Sequence, residues 1–338
     1  MSRVIAIFNQ KGGVGKTTTA MNVSGYFAIL GKKTLLIDFD PQYNTTIGLG
    51  VIHEPSETIY HALLAGQQTD RVIKRTYLAR LDVVPASQDL AGALVELIEV
   101  PDRESLLKKF IDRIRDQYDF ILIDLGPTVN LLTVNGLMAA DEVVIPVQCE
   151  YYSLEGIPQL LDTVHLIREN LGHPLKISGA LLTMYDKREK LSRDIAREIR
   201  KRFPYKVYDV EIPRSVALAE SPRFQKPIML YAPQSPGAIA YEELAKEIIR
   251  GNENQKEHSI PPKRDIFETI SSHPYVEKTY EYDYGTYAPP TLDIKHEKTK
   301  KEVINGEISS DTKEPLVLMI HEEGNFKDFF DSLTPENK

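Results

Sequence analysis

Cysteine is nearly absent from this chain, with one thiol, Cys149, in 338 residues. A lone cysteine excludes an intrachain disulfide framework and any metal cluster that draws several thiolates from one chain, and it points to a reducing compartment, with the cytoplasm as the expectation. Long apolar runs are missing too. No stretch of about 18 uninterrupted apolar residues occurs, and no basic segment with an apolar core precedes the first apolar run at Val4. Neither secretion nor membrane spanning is therefore expected. No internal repeat is present. Acidic residues outnumber basic ones to give a net charge of -8, but the excess is local: residues 252–338 hold 18 Asp and Glu against 11 Lys and Arg, while residues 1–251 hold 31 against 30. A near-neutral body can carry a basic face beside an acidic appendage, so the overall charge does not exclude nucleic-acid binding.

What is present begins at the amino terminus. The apolar run Val4–Phe8 leads into Gln10-Lys11-Gly12-Gly13-Val14-Gly15-Lys16-Thr17-Thr18, and an apolar-periodic segment follows. Strand, glycine loop and helix in that order make a phosphate cradle. Gly12, Gly13 and Gly15 let successive N–H groups converge on phosphate oxygens, Lys16 supplies a cation and Thr17 a hydroxyl for Mg²⁺. The usual spacing G-x-x-x-x-G-K-[ST] fails by one residue, since its first glycine falls on Gln10, and a second lysine, Lys11, stands beside it.

Short β-branched runs at Thr34–Phe39, Leu81–Pro85, Phe120–Asp124, Glu142–Val147 and Ile177–Thr183 alternate with helical patterns. That alternation predicts an α/β fold, a mostly parallel sheet covered by helices on both faces, and the phosphate loop after the first strand makes it of the P-loop NTPase kind. Helices are expected over Thr17–Leu30, Glu104–Gln117, Leu154–Asn170, Leu191–Lys201 and Gly237–Arg250. One domain, residues 1–251, fits the length. From Asn252 onward the sequence is polar and without period, and residues 252–338 are read as a mostly disordered acidic extension. Two islands interrupt it: the tyrosines Tyr275, Tyr280, Tyr282, Tyr284 and Tyr287, and the apolar Pro315–Ile320 followed by Phe326, Phe329, Phe330 and Leu333.

Asp38 and Asp40 close one strand and Asp124 closes another, at the carboxyl edge where open α/β sheets bind ligands. Two positions apart on an extended strand, Asp38 and Asp40 are expected to point the same way. Taken singly, a strand-end carboxylate more often caps the next helix. Three beside a phosphate loop favour a nucleotide site, with Asp124 in the position of a Walker B aspartate.

Together these blocks closely resemble the ParA/Soj family of deviant Walker ATPases, which partition chromosomes and plasmids. Asn9–Thr19, Leu35–Asn44, Tyr118–Asn135, Val144–Gly156 and Ile212–Pro227 match in family order, and the resemblance covers residues 1–251. It implies ATP and Mg²⁺ as ligands, and a homodimer that forms with ATP, binds DNA without sequence preference and is released when a ParB-like centromere-binding protein stimulates hydrolysis. It also implies roles. Lys11 is similar to the signature lysine that reaches the nucleotide on the other subunit. Lys16 corresponds to the Walker A lysine, Thr17 to the magnesium ligand, and Asp124 to the magnesium shell through water. Asp40 corresponds to the residue that orients the attacking water, while Met184, Pro213 and Arg214 would line the base. Nucleoid association in the cytoplasm follows from the same comparison. Two departures stand near the site: Tyr43 replaces a glycine, and Gly126 replaces the first proline of a Pro-Pro pair.

The stretch Tyr185–Arg202 is basic. Leu191, Ile195, Ile199 and Phe203 recur at i, i+4 and are expected to face the core, while Arg193, Arg197 and Lys201 share another face that can track phosphates. A solvated helix laced by Glu/Arg pairs explains the residues equally well; the resemblance tips the reading toward DNA. Arg188 matches a DNA-contacting arginine of the family. A second expected arginine is Ala217, with Arg223 and Lys226 nearby. No helix-turn-helix precedes the first strand, so operator-specific autorepression is not expected. Two other readings are weighed: a tyrosine kinase-like P-loop enzyme acting on the tail tyrosines, and a MinD-like positioning ATPase. The second would need a basic amphipathic terminal helix, whereas Phe326–Leu333 is acidic. An iron–sulfur reductase is excluded by the single cysteine.

Overall fold

The computed structural model describes residues 2–64, 68–154 and 156–251. The expected extension 252–338, with its tyrosine and apolar islands, lies outside the described residues. Along the chain run β1 (Arg3–Ile7), α1 (Lys16–Ile29), β2 (Thr34–Phe39), α2 (Asn44–Gly48), β3 (Lys74–Arg75), β4 (Leu81–Val84), α3 (Leu106–Asp112), β5 (Phe120–Leu125), α4 (Leu131–Ala139), β6 (Glu142–Gln148), α5 (Gly156–Asn170), β7 (Lys176–Tyr185), α6 (Lys190–Arg202), β8 (Val207–Pro213) and α7 (Pro236–Arg250), with shorter helical turns between.

The eight strands form one sheet in the order β3-β4-β2-β5-β1-β6-β7-β8. Every pairing is parallel except β3 with β4. The chain builds first on one side of β1 and afterwards on the other, so the strand order reverses about β1 and a crevice opens at its carboxyl end. The central strands are buried on both faces, which is why they read as continuous apolar runs. On one face Ile5, Ile7, Leu36, Leu122 and Val144 pack with Val23 and Phe27 of α1 and with Tyr241, Leu244 and Ile248 of α7. α4 lies close against the end of β5: a Cβ at Gly136 would collide with the side chain of Leu125, so glycine there permits the approach.

Pro146 sits inside β6, where a missing N–H would ordinarily break a ladder. β1 pairs with β6 only as far as Val144. Beyond it the Pro146 carbonyl accepts the Asn9 amide at 2.7 Å, so no strand is deprived of a donor.

Two expectations are corrected. The helix expected over Glu104–Gln117 is interrupted: α3 ends at Asp112, Ile114 leaves the helical region at φ -125, and Arg115–Gln117 form a separate turn. Ile114 is 2% exposed and stays on the buried side that Leu107, Phe110 and Ile111 define. The helix expected from Leu154 starts instead at Gly156, after a short turn over Tyr151–Ser153. β8 had no prediction, because an edge strand carrying Asp209 and Glu211 lacks the continuous apolar run of its neighbours.

Candidate functional site

Leaving β1, the loop turns at Gly13 (φ 74) and Gly15 (φ 91), conformations in which a Cβ would be strained. Gly15 is also the N-cap of α1, without a side-chain cap, and no acidic residue occupies the first turn. The first amides of α1 and the positive end of its dipole are thus left to a ligand. Side chains pin the loop from outside. Asn9 Oδ1 accepts the Lys11 N–H at 2.9 Å, and the Thr183 hydroxyl donates to the Val14 carbonyl at 2.9 Å. Gln10, in place of the usual glycine, donates through Nε2 to the Thr163 hydroxyl on α5 at 2.8 Å.

A cleft of about 530 Å³ lies over this loop. Gly12, Gly13, Gly15, Lys16, Thr17, Thr18, Asp40, Met184, Pro213 and Arg214 all line it, so ten of the expected nucleotide residues converge. Val14 and Lys11 do not. Val14 is 1% exposed and packs inward. The Lys11 ammonium turns toward the Ser153 hydroxyl at 3.5 Å, while its carbonyl accepts the Lys16 ammonium at 3.0 Å. Burial draws the Lys16 pKa below the usual lysine range, and the nearby Asp124 and Asp40 oppose that shift.

The carboxylates are arranged differently from the expectation. β2 ends at Phe39 and the chain turns at once, with the Tyr43 N–H donating to the Asp40 carbonyl at 2.8 Å. Asp38 and Asp40 therefore diverge. Asp40 lines the cleft, and its Oδ1 accepts the Gln42 N–H at 3.0 Å. Asp38 instead is buried opposite Asp124 in the β2–β5 register and accepts from the Thr46 N–H and hydroxyl at 2.8 and 2.7 Å. Burial, reinforced by the facing Asp124, pushes the Asp38 pKa up to about 8. Burial also pushes Asp124 up, to about 6, against the Thr45 hydroxyl that donates to its Oδ2 at 2.7 Å. Thr45 and Thr46 escaped the sequence reading, although two adjacent hydroxyls directly after the Asp40 turn were a visible signal.

The second oxygen of Asp124, Oδ1, is buried without a hydrogen-bond partner. An orphaned carboxylate oxygen beside Thr17 fits a cation shell. No group of three or more His, Cys, Asp or Glu among the described residues is placed to hold a metal unaided. A cation held here would need further ligands from phosphate and water, which is the habit of Mg²⁺. At the far end of the cleft Met184 is held at φ 51. Its sulfur accepts the Gln148 amide at 3.0 Å, and Arg214 pairs with Glu150 at 3.0 Å.

The expected DNA residues lie apart from the cleft. Arg188 has an 84% exposed side chain and pairs with Asp186 at 2.7 Å. Arg193, Arg197 and Lys201 are exposed on α6, and Arg223 is exposed on the turn Ser221–Phe224. Arg197 pairs with Asp194 at 3.1 Å. Ile195, Ile199 and Phe203 are buried as expected, but Leu191 is 55% exposed. Its neighbour Ser192 is buried in its stead, with its hydroxyl accepting the Asp186 N–H at 3.0 Å.

A glycine loop between the first strand and its helix, a buried lysine, and a strand-end aspartate with a free oxygen define a P-loop nucleotide-binding protein. Residues 2–177 match the family model described as an AAA domain. The chain is 48% identical over 249 residues to the sporulation initiation inhibitor protein Soj of Bacillus subtilis, covering 73% of this chain and 98% of that one. It is 47% identical over 249 residues to the chromosome-partitioning ATPase Soj of Treponema pallidum, covering 74% and 98%. Among solved structures it resembles the cobyrinic acid a,c-diamide synthase of Mycobacterium smegmatis with bound ADP and magnesium. That likeness has a TM-score of 0.65 at 35% identity and covers 74% of this chain and 95% of that one. The chain belongs to the ParA/Soj family of P-loop ATPases.

Proposed function

We propose that this ATPase is a partitioning protein that closes on itself as a homodimer around ATP, holds non-specific DNA in that state, and is released when a ParB-like centromere-binding protein stimulates hydrolysis. The observation that carries the reading is the convergence of Lys16, Thr17 and Asp40 on one cleft from which the Lys11 side chain is turned away. Lys16 and the uncapped amides of α1 bind the phosphates. Thr17, and Asp124 through water, would hold Mg²⁺, which when bound neutralises phosphate charge. Asp40, fixed by the Gln42 amide, orients the attacking water. Met184, Pro213 and Arg214 flank the base. Lys11 acts on the nucleotide of the second subunit, which makes hydrolysis depend on dimerisation. Phosphoryl transfer to water needs mainly positioned charge and an oriented nucleophile, and these residues supply both.

Residues 1–251 form the ATPase domain and residues 252–338 a separate acidic extension. Arg188, Arg193, Arg197, Lys201 and Arg223 supply the DNA face. No helix among the described residues is long and apolar enough to cross a membrane, and the working location is the cytoplasm, on the nucleoid. The test separates the two lysines and the aspartate. With a non-hydrolysable ATP analogue, Lys11→Ala is expected to bind nucleotide yet sediment as a monomer, whereas Lys16→Ala binds none. Asp40→Ala should dimerise with ATP and hydrolyse it at a small fraction of the wild-type rate. An unchanged dimer fraction for Lys11→Ala would sink the cross-subunit role, and normal turnover in Asp40→Ala would move the water-orienting role elsewhere.

A further inference from the structure

Two adjacent threonines at the start of α2 turn their hydroxyls to different strand ends. Thr46 serves Asp38 on β2: its hydroxyl donates to Oδ2 at 2.7 Å, its N–H donates to the same oxygen at 2.8 Å, and the hydroxyl accepts the Ala86 N–H at 3.0 Å. Thr45 reaches the neighbouring strand β5, where its hydroxyl donates to Oδ2 of Asp124 at 2.7 Å. Thr45 is fully buried at 0% exposure, and a buried hydroxyl is costly unless it is hydrogen-bonded. The carboxylate of Asp124 meets that need. The reverse need is met only in part, because the other oxygen of Asp124, Oδ1, is buried without a partner. Asp124 is therefore a carboxylate held at one oxygen and left open at the other.

The held oxygen decides which one stays open. The last torsion of an aspartate side chain is broad and barely sets the plane of the carboxylate by itself. A short, charge-assisted O–H···O bond supplies the missing restraint. It comes from α2, the element directly behind the turn that carries Asp40, so the same bond ties the two carboxylates of the site to one another. We propose that Thr45 is a positioning residue for Mg²⁺ in this chain: its hydroxyl holds Oδ2 of Asp124 so that Oδ1 is presented to the water shell of the cation, strengthening a grip that Asp124 has more weakly without it. The proposal rests on the reading of Asp124 as a magnesium-shell residue. Partners of this outer kind commonly contribute about 10–100-fold in metal affinity. The effect falls on the cation alone, because Thr45 is not among the residues that line the cleft and so touches neither phosphates nor base.

The experiment uses the full chain and a fluorescent, non-hydrolysable ATP analogue, with affinity measured in EDTA and then along a Mg²⁺ titration. Thr45→Val removes the hydroxyl at nearly constant volume, Thr45→Ala removes it with less bulk should valine disturb folding, and Thr45→Ser restores it. Thr45→Val and Thr45→Ala are expected to raise the Mg²⁺ concentration for half-maximal effect by about tenfold, with affinity in EDTA unchanged within about twofold and Thr45→Ser close to wild type. On an Asp124→Asn background the loss of the hydroxyl should add nothing further, since both changes act through one carboxylate. An unchanged Mg²⁺ requirement in Thr45→Val and Thr45→Ala, with Asp124→Asn impaired, would overturn the role of Thr45 and spare that of Asp124. An equal loss of affinity in EDTA would overturn it too, since the hydroxyl would then serve the fold. A wild-type Mg²⁺ requirement in Asp124→Asn would remove the parent reading, and this proposal with it.

Discussion

Tyr43 holds a left-handed conformation, φ 42 and ψ 36, at the entrance to α2, where a bulky side chain is strained and glycine is not. The expectation that family members carry glycine here thereby acquires a physical cause: the turn from Asp40 into α2 demands positive φ. Comparing two truncations isolates the strain, because both remove the ring and differ only in tolerance of that backbone. Tyr43→Gly is expected to be about 1 kcal/mol more stable than Tyr43→Ala. In a domain of this size that corresponds to a melting-temperature difference of roughly 2–4 °C. A glycine variant that melts below the alanine variant would show that the turn relaxes without cost. The strain also sits beside chemistry, since the same turn presents Asp40 to the cleft through the Gln42 amide, and strained backbone is tolerated where surrounding contacts over-determine it.

At the scale of elements, α6 decides whether the basic face is more than a solvated surface. Its partners argue for restraint: Arg188 just before the helix and Arg197 on it each have a carboxylate partner within 3.1 Å. Exposed pairs of this kind are weak, so a phosphate can replace the carboxylate. DNA binding in the ATP state is expected to be similar for unrelated sequences and to fall steeply with salt, since each neutralised phosphate releases counterion. The Arg188→Ala variant should lower the slope of log K against log salt by about one unit. If the triple change of Arg188, Arg193 and Arg197 to Ala leaves retention on DNA-cellulose intact, α6 is no DNA face. Elements were legible in the sequence where one signal dominated. The buried parallel strands β1, β2, β5, β6 and β7 announced themselves as apolar runs, and the phosphate loop by its glycines. β8 was not legible, because an edge strand mixes polar and apolar residues. Nor was the exposure of Leu191 in the first turn of α6, where its neighbour Ser192 is buried and accepts the Asp186 N–H instead. The divergence of Asp38 from Asp40 was equally hidden: it follows from a turn one residue past the strand, and strand periodicity says nothing about where the strand stops.

Over the whole molecule, the described chain closes on itself before residue 252. Arg3 on the first strand donates to the Ile248 carbonyl at 2.7 Å and pairs with Glu142 at the same distance. The hydroxyls of Thr19 on α1 and Tyr241 on α7 meet at 3.1 Å within the core. α7 thus locks onto the first strand and the phosphate-loop helix, and among the described residues those that line the cleft run from Gly12 to Tyr241. Removing residues 252–338 also removes a net charge of -7 and leaves a body of net charge -1, which weakens long-range repulsion of DNA. The 1–251 chain is therefore expected to stay soluble, to dimerise with ATP, and to hydrolyse it within about twofold of the full-length rate, since a self-contained core tolerates loss of an appendage. Its DNA affinity should rise at low salt and converge with that of the full chain once salt screens the difference. Side-by-side ATPase assays and DNA titrations at two ionic strengths read both effects. Loss of ATPase on truncation, or ATP-dependent phosphate appearing on Tyr275–Tyr287 of the full chain, would instead favour an enzyme that acts on its own tyrosines.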